Sequence, residues 1–223
     1  MAIFAPLPLR NGGKPIWFPD RSSFSVRKGE ALTSLDEGAR KALAQRVYND
    51  VFIFDQMACS SPHVLYVVGQ PDRDGAAVAA LLDDISRLAL AAGETAGTGH
   101  FMRKMVVAYK AAAIGGASSI DWRNPVLTTV SSSPDRRHDE RVGGGFLWVD
   151  FIASLAAVET MAQERDQTVT HFGFSPEEVA ELARAVAKSG VSRLAPAGAA
   201  LDFDSIWDGY DIPFELTRLV RLS

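Results

Sequence analysis

The sequence predicts an α/β fold, a three-layer sandwich with helices on both faces of a mostly parallel sheet. Short β-branched and aromatic runs alternate along the chain with amphipathic segments of helical length. Connections of that length carry the chain from the end of one strand to the start of a parallel neighbour. A chain of 223 residues, of which 47% are hydrophobic, can bury a substantial core around such a sheet.

The first 29 residues differ from the rest of the chain. They are rich in proline, glycine and arginine, and their apolar pieces are short, around residues 16–18 and 24–26. Such a mixture is typical of a lead-in that contributes one or two short strands. We therefore expect a lead-in segment over residues 1–29, followed by one domain over residues 30–223.

A long helix and a strand open this domain. Ser34 and Glu37 have the spacing of a capping box, and apolar residues then recur every three or four positions, which predicts a helix over about 35–55. Pro62 cannot continue a helix. The β-branched and aromatic run that follows predicts a buried strand over 63–69.

The same alternation continues towards the C-terminus. Asp74 is placed to cap the next helix, and Ser175 with Pro176 precedes an acidic first turn, which predicts another helix start. The remaining predicted elements are helices over 75–92, 100–113, 154–163 and 176–189, strands over 126–130, 145–152, 167–172 and 191–195, a turn at Asp208–Gly209, and an amphipathic segment from Pro213.

Composition excludes several classes of partner. The net charge is −4 and the isoelectric point is near 5.6, so the chain lacks the basic excess that holds nucleic acid through phosphate contacts. No apolar run reaches the roughly 18 residues of a membrane-spanning helix, and residues 1–10 lack the pattern of an export signal. A single cysteine cannot form an internal disulfide, which agrees with a reducing cytoplasm.

No motif indicates a metal or nucleotide site. The histidines lack metal-ligand spacing, and four aspartates near the C-terminus do not match a calcium loop, so we interpret those aspartates as turn and cap residues. The run over 135–141 is interpreted as solvated surface, with coenzyme A phosphates as an alternative ligand. Gly143–Gly145 precedes a strand, whereas a dinucleotide-binding loop follows one. The histidines and aspartates are His63, His100, His138, His171, Asp202, Asp204, Asp208 and Asp211.

Cys59 lies where the first long helix ends and the first strand of the domain begins. Loops at such element ends carry many catalytic groups in α/β proteins. A thiolate attacks a carbonyl carbon when its neighbours favour the anion or when a base lies within reach. Ser60 and Ser61 follow with hydroxyl groups and backbone donors for an oxyanion. Cys59 is therefore a candidate nucleophile, and an inert buried thiol is the alternative.

The segment around Cys59 resembles the active-site segment of LuxC-type acyl-CoA reductases, a family related to aldehyde dehydrogenases. The family pattern is an Asn/Asp-Gln-x-Ala-Cys-Ser-Ser-Pro run. Weaker similarity extends the resemblance over most of the chain from about Phe18. The matching segments are Phe54-Asp55-Gln56-Met57-Ala58-Cys59-Ser60-Ser61-Pro62-His63, Gln167-Thr168-Val169, Gly190-Val191-Ser192-Arg193, Pro196-x-Gly198 and Phe203-x-x-x-Trp207-Asp208-Gly209-Tyr210-Asp211.

The resemblance implies an aldehyde-dehydrogenase-like catalytic domain. Cys59 would accept the acyl group of an acyl-CoA or acyl-carrier thioester, and a hydride from NADPH would release the aldehyde. The resemblance also implies a bacterial, cytoplasmic enzyme that forms a homo-oligomer. Family members carry a nucleotide-binding half first, and this sequence resembles only the C-terminal, catalytic half. We therefore expect poor NADPH binding and no reductase activity without a nucleotide-binding domain or subunit.

Four residues are candidate supports for Cys59. Gln56, Ser60 and Ser61 are placed beside it by adjacency, with the Cys59 backbone amide and Ser60 as possible oxyanion donors. His63 is a candidate base if the turn at Pro62 folds it back. Two other functions stay open: a non-enzymatic subunit or binding domain of a multi-protein complex, and a cysteine thioester hydrolase or acyltransferase that uses Cys59 with His63.

Overall fold

The computed structural model describes residues 7–11, 13–132, 140–218 and 220–221. In these ranges the chain forms a seven-stranded sheet with helices on both faces and a two-stranded hairpin near the C-terminus. The α/β fold predicted from the sequence is confirmed. The strands are β1 Ser22–Lys28, β2 Val64–Val68, β3 Ala117–Trp122, β4 Thr128–Ser132, β5 Phe146–Ile152, β6 Asp166–Phe172, β7 Arg193–Pro196, β8 Ile206–Trp207 and β9 Tyr210–Asp211.

The large sheet has the strand order β3-β4-β5-β2-β1-β6-β7. Every neighbouring pair is parallel except β3 with β4, which is antiparallel at one edge. The inner strands are covered on both faces. This burial explains why β2 and β5 are continuous apolar runs rather than alternating ones.

The helices divide between the two faces of the sheet. One core packs α2 and α3 against the side of β2 that carries Leu65 and Val67. The other core packs α4, α5 and α6 against the side that carries Val64 and Tyr66. Successive residues of a strand point to opposite faces, so one strand serves both cores. The helices are α1 Gly29–Thr33, α2 Glu37–Phe52, α3 Pro71–Ala91, α4 Thr98–Ala113, α5 Val158–Met161, α6 Pro176–Val186 and α7 Ile212–Glu215.

Strand β1 comes from the segment expected to be a lead-in, residues 1–29. It lies between β2 and β6 near the middle of the sheet, and it pairs with both in parallel. The expected boundary between residues 29 and 30 therefore does not follow a break in the fold. Phe24 and Val26 of β1 are buried in the core.

The first long helix begins later than predicted and ends earlier. Asp36, not Ser34, is the N-cap of α2, and its carboxylate accepts a hydrogen bond of 2.8 Å from the Ala39 amide. Helix α2 ends at Phe52. The helix start predicted at Ser175 and Pro176 is confirmed, and the structure shows in addition a capping box there, in which Ser175 and Glu178 satisfy each other's backbone amides.

Three other elements differ from the sequence prediction. Strand β3 is an edge strand with largely exposed residues, and no apolar run predicts it. The helix predicted over 154–163 is reduced to a 3₁₀ turn, Leu155–Ala157, and the single turn of α5. The turn predicted at Asp208–Gly209 is confirmed and joins β8 to β9. Among the described residues, no helix is long and apolar enough to cross a membrane.

Candidate active site

Cys59 lies in a tight turn just before β2, at the amino end of the parallel strands. After α2 the chain forms a 3₁₀ turn over Ile53–Gln56 in which Phe54, Asp55 and Gln56 have φ angles of 63°, 53° and 61°. Left-handed backbone at a residue other than glycine costs about 1 kcal/mol or more. The rest of the fold must therefore hold this strained segment in place.

Gln56 provides much of the stabilisation of this strained segment. Its side chain is fully buried, and Nε2 donates to Pro62 O at 2.8 Å and to Phe146 O at 2.9 Å. Its Oε1 accepts from the amides of Gly145 at 3.1 Å and Phe146 at 3.0 Å. The side-chain amide of Gln56 thus connects the turn that contains Cys59, which we call the cysteine turn, to the start of β5. Its placement fits a supporting role.

The glycine run Gly143–Gly145 packs directly against the cysteine turn. All three residues have positive φ, and the Gly144 amide donates to Asp55 O at 2.8 Å. A Cβ on Gly143 would lie 2.7 Å from Met57 Sδ, and one on Gly145 would overlap Val126 O and the Phe52 ring. The run serves close packing, and it leaves no open cradle for the phosphates of a nucleotide.

Ser23 of β1 ties the turn to β6. Its hydroxyl donates to the Cys59 carbonyl oxygen at 2.7 Å and accepts from the Thr168 amide at 3.1 Å. The backbone of Cys59 is therefore connected to the first residues of β6, where Gln167 lies.

The Cys59 sulfur is partly buried and has polar neighbours. Burial raises the pKa of the Cys59 thiol above its ordinary value, and hydrogen bonds from the Gln167 side chain and from the backbone amides of Cys59 and Ser60 act in the opposite direction. The charge of Asp208 adds to the upward shift of this pKa. Burial therefore favours the neutral thiol over the thiolate, and the polar groups of the turn oppose this effect.

Asp208 reaches this region from the hairpin β8–β9. Its side chain is almost fully buried, and Oδ1 lies 2.7 Å from Arg21 Nε. Arg21 also donates from Nη1 to the Glu164 carbonyl oxygen at 2.6 Å. The Asp208 carboxylate is thus held close to Cys59 by an arginine from the segment before β1.

Ser60 and Ser61 are buried beside Cys59. Neither hydroxyl has a hydrogen-bond partner among the residues that the structure describes. The Ser61 amide closes the turn by donating to Ala58 O at 3.0 Å. Buried hydroxyls without partners are unfavourable, and such groups occur at sites that bind ligands.

His63 is buried at the start of β2, and its pKa is lowered to about 4 by burial and by the charge of Arg165. It is therefore neutral near pH 7. The groups that most affect the Cys59 pKa do not include His63. The His63 side chain instead contributes to a cleft of about 320 Å³, whose other lining residues are Asp20, Met57, Arg103, Glu140 and Arg141.

Comparison with known proteins finds a family match that includes the sequence around Cys59. Residues 4–90 match the family model LuxC, acyl-CoA reductase. The LuxC match includes the cysteine turn, and it confirms the resemblance that the motif suggests. No curated protein matches the chain.

Solved structures with a similar fold include aldehyde and semialdehyde dehydrogenases. A methylmalonate-semialdehyde dehydrogenase from Oceanimonas doudoroffii has a TM-score of 0.56 at 13% identity, over 83% of this chain and 40% of that one. A putative methylmalonate-semialdehyde dehydrogenase from Sinorhizobium meliloti 1021, complexed with NAD, has a TM-score of 0.54 at 11% identity, over 81% and 40%. A Thermus 1-pyrroline-5-carboxylate dehydrogenase with bound NAD has a TM-score of 0.52 at 12% identity, over 79% and 35%.

These neighbours establish the aldehyde-dehydrogenase-like fold. The chain spans two fifths or less of their length. In the described ranges, no group of three or more His, Cys, Asp or Glu side chains is arranged to hold a metal ion. His138 and most of the run over 135–141 lie outside the described residues.

Several residues near Cys59 are not candidate site residues in the sequence interpretation. Arg21 and Ser23 belong to the expected lead-in, and Gln167 and Asp208 occur only in the weaker matching segments. The interpretation of the C-terminal aspartates as turn and cap residues is confirmed for two of them, since Asp204 and Asp211 accept hydrogen bonds from nearby backbone amides. Asp208 is a turn residue with a φ of 53° and also a neighbour of Cys59.

Proposed function

We propose that this chain is the cysteine-bearing catalytic domain of an acyl-thioester reductase. The observation that carries the proposal is the position of Cys59: it lies within the LuxC match, in a strained turn that Gln56 and Ser23 connect to the sheet, beside the buried hydroxyl donors of Ser60 and Ser61. Such donors stabilise both a thiolate and the charge that develops when sulfur attacks a thioester carbonyl.

The acylation step needs only groups of this chain and the substrate. The Cys59 thiol loses its proton to solvent, its sulfur bonds to the acyl carbon, and the bond from that carbon to the sulfur of coenzyme A or an acyl carrier breaks. The departing thiolate takes up a proton, so no electron is gained or lost. Ser60 and the Cys59 amide are the proposed oxyanion donors, and Gln56 and Ser61 support the turn.

NADPH would supply the hydride that converts the acyl-enzyme to an aldehyde. The glycine run Gly143–Gly145 offers no phosphate-binding loop for this cofactor, because it is packed against Met57 and Phe52. We therefore assign the cofactor site to a separate nucleotide-binding domain or subunit. The chain works in a bacterial cytoplasm as a homo-oligomer in this proposal, and acylates without reducing when it is alone.

Intact-mass spectrometry tests the proposal. The purified chain, incubated with acyl-CoAs of short, medium and long acyl length, should gain one acyl mass on Cys59 and release free coenzyme A. Cys59→Ala is the control and should gain none. Absence of any adduct, together with ordinary iodoacetamide reactivity, would support a non-enzymatic subunit instead. Continuous release of free acid without nicotinamide would identify a thioester hydrolase.

Calorimetric titration with NADPH tests the assignment of the cofactor site. We expect the isolated chain to bind NADPH weakly. Tight binding by the isolated chain would contradict the assignment of that site to a separate domain or subunit.

A further inference from the structure

The cleft of about 320 Å³ that His63 lines opens beside the cysteine turn. Two of its lining residues, Met57 and His63, belong to the chain immediately before and after Cys59. Sites for small ligands in proteins range from about 300 to 1,000 Å³. A cleft of this size can therefore receive part of a substrate whose reacting group lies at Cys59. The other described lining residues are Asp20, Arg103, Glu140 and Arg141.

The charges of these lining residues do not cancel. Asp20 forms an ion pair with Arg141. Glu140 forms one with Lys110 of α4, with a distance of 2.5 Å between Oε1 and Nζ. Arg103 donates from Nη2 to the Arg141 carbonyl oxygen at 2.9 Å and has no carboxylate partner among the described residues. The described part of the cleft is thus left with one unbalanced positive charge, that of Arg103.

The guanidinium of Arg103 is fixed at one corner and has donors to spare. Its Nη2 bond to a backbone carbonyl oxygen sets its position on the cleft wall, and its Nε and Nη1 groups make no hydrogen bond to the residues that the structure describes. The side chain is exposed to solvent. A guanidinium in this state can form parallel hydrogen bonds to the oxygens of a phosphate group.

Met57 and His63 offer contacts of other kinds. Burial and the charge of Arg165 lower the pKa of His63 to about 4, so its imidazole is neutral near pH 7, and the ring makes no hydrogen bond within the described ranges. A neutral imidazole has one donor and one acceptor, which suits an uncharged amide. Met57 is 57% exposed and presents an apolar, adaptable surface. An apolar surface, a neutral hydrogen-bonding group and a cation therefore line one cleft beside Cys59.

We propose that this cleft binds the phosphopantetheine arm of the thioester substrate and that Arg103 binds the phosphate of that arm. Coenzyme A and acyl carriers share this arm, which consists of alkyl segments, amides and a phosphate. These groups match Met57, His63 and Arg103 in chemistry. The inference deepens the proposed function, and it rests on Cys59 accepting the acyl group from the thiol end of the arm.

The test compares two thioesters that differ only in the phosphate, octanoyl-phosphopantetheine and octanoyl-pantetheine. Intact-mass spectrometry at low thioester concentration gives the rate constant for acylation of Cys59 by each. In the unaltered chain the phosphate should raise this rate constant about tenfold, as expected for one charge-assisted contact. Arg103→Gln should bring the ratio of the two rate constants close to one, and Arg103→Glu should bring it below one. A general disturbance of the cleft would instead slow both reactions and keep their ratio.

Arg184→Gln is the matched control, because Arg184 is exposed on α6 and makes no hydrogen bond or ion pair with the described residues. It should keep the ratio of the unaltered chain. If the unaltered chain shows no preference for the phosphate, or if both Arg103 variants keep the preference, the inference is wrong.

The pH dependence of Cys59 alkylation by iodoacetamide, which we call the alkylation profile, checks the nucleophile separately. Iodoacetamide has no phosphate, so Arg103→Gln should slow alkylation far less than it slows acylation by octanoyl-phosphopantetheine. Equal losses in the two reactions would show that Arg103 acts on Cys59 and not on the phosphate, which would also overturn the inference.

Two further substrates distinguish the sources of the arm. Octanoyl-CoA and an octanoylated acyl carrier protein both carry the phosphate, and slower acylation of Arg103→Gln by either one supports the inference and identifies that source. If no thioester acylates Cys59, the proposed function fails. Calorimetric titration with phosphopantetheine then tests the cleft alone: about tenfold weaker binding by Arg103→Gln would support the phosphate site, and equal binding would contradict it.

Discussion

The two ends of the central strands differ in whether their buried polar groups have hydrogen-bond partners. At the carboxyl ends of β1 and β2, the buried Asp74 carboxylate accepts hydrogen bonds from the Gln70 amide at 2.9 Å, from Arg73 at 2.8 Å and from Thr33 at 3.3 Å. These contacts lower the pKa of Asp74 to about 2. At the carboxyl end, the buried charge of Asp74 thus lies in a closed cluster in which several donors form hydrogen bonds to it.

The amino end is arranged in the opposite way. Ser60 and Ser61 have buried hydroxyls without partners in the described ranges, and burial raises the pKa of the neighbouring Cys59 thiol. Ligands of open α/β sheets usually bind at the carboxyl ends of strands. Here the carboxyl end of β1 and β2 is a structural cluster, and the unsatisfied groups lie with the candidate nucleophile at the amino end.

Acid should destabilise the amino end first, through His63. The folded protein keeps His63 neutral because its pKa is lowered from 6.5 to about 4, whereas the unfolded chain binds a proton below pH 6.5. Stability therefore falls as pH drops from about 6.5 to about 4, by up to about 3 kcal/mol. Urea unfolding, measured across this pH range, should show that His63→Asn loses most of this dependence of the free energy of unfolding on pH.

His171→Asn is the comparison for this measurement. Burial and Arg27 lower the pKa of His171 as well, but the side chain is only partly buried. The removal of His171 should therefore reduce the dependence of the free energy of unfolding on pH less than the removal of His63 does. If His63→Asn kept the full dependence of the free energy of unfolding on pH, the assignment of that dependence to His63 would be wrong. The carboxyl end should respond only below that range, because ionised Asp74 loses its contribution as pH falls from 3.8 towards about 2.

A methyl group added at Gly69 should disrupt the hydrogen-bonded cluster around Asp74 at the carboxyl ends of β1 and β2. The added Cβ would overlap the Asp74 carboxylate, so Gly69→Ala should lower the free energy of unfolding by about 2 kcal/mol. Gly75→Ala is the matched control within α3, where nothing lies within 4 Å of the added Cβ, and it should raise stability by about 0.5 kcal/mol. Both variants should keep the unaltered alkylation profile of Cys59. A changed profile would mean that the two ends are coupled.

The smallest expected effect is at Ser61. Its buried hydroxyl has no partner in the described part of the chain, so Ser61→Ala should change the free energy of unfolding by less than about 0.5 kcal/mol. Ser23→Ala removes two hydrogen bonds and should cost about 1–2 kcal/mol. Chemical denaturation measures both. Equal losses in the two variants would show that Ser61 also has a structural partner.

The sequence by itself determined the elements and the candidate nucleophile. Hydrophobic periodicity and turn residues are local signals, so α3, α4, α6, β2 and β5 follow from short windows of sequence. The cysteine motif is also local, because the residues that shape its turn are adjacent in the chain. Strand β3 escaped prediction because an exposed edge strand needs no apolar run.

The surroundings of Cys59 were decided only by the tertiary structure. Arg21 and Gln167 come from distant segments, and they lie close together because β1 and β6 are parallel neighbours with their amino ends together. Asp208 comes from the separate hairpin β8–β9 and is paired with Arg21. The bulge at Gln167 is a shift of pairing between β1 and β6, so it exists only once both strands have aligned. Pairing between distant strands leaves no trace in either strand alone.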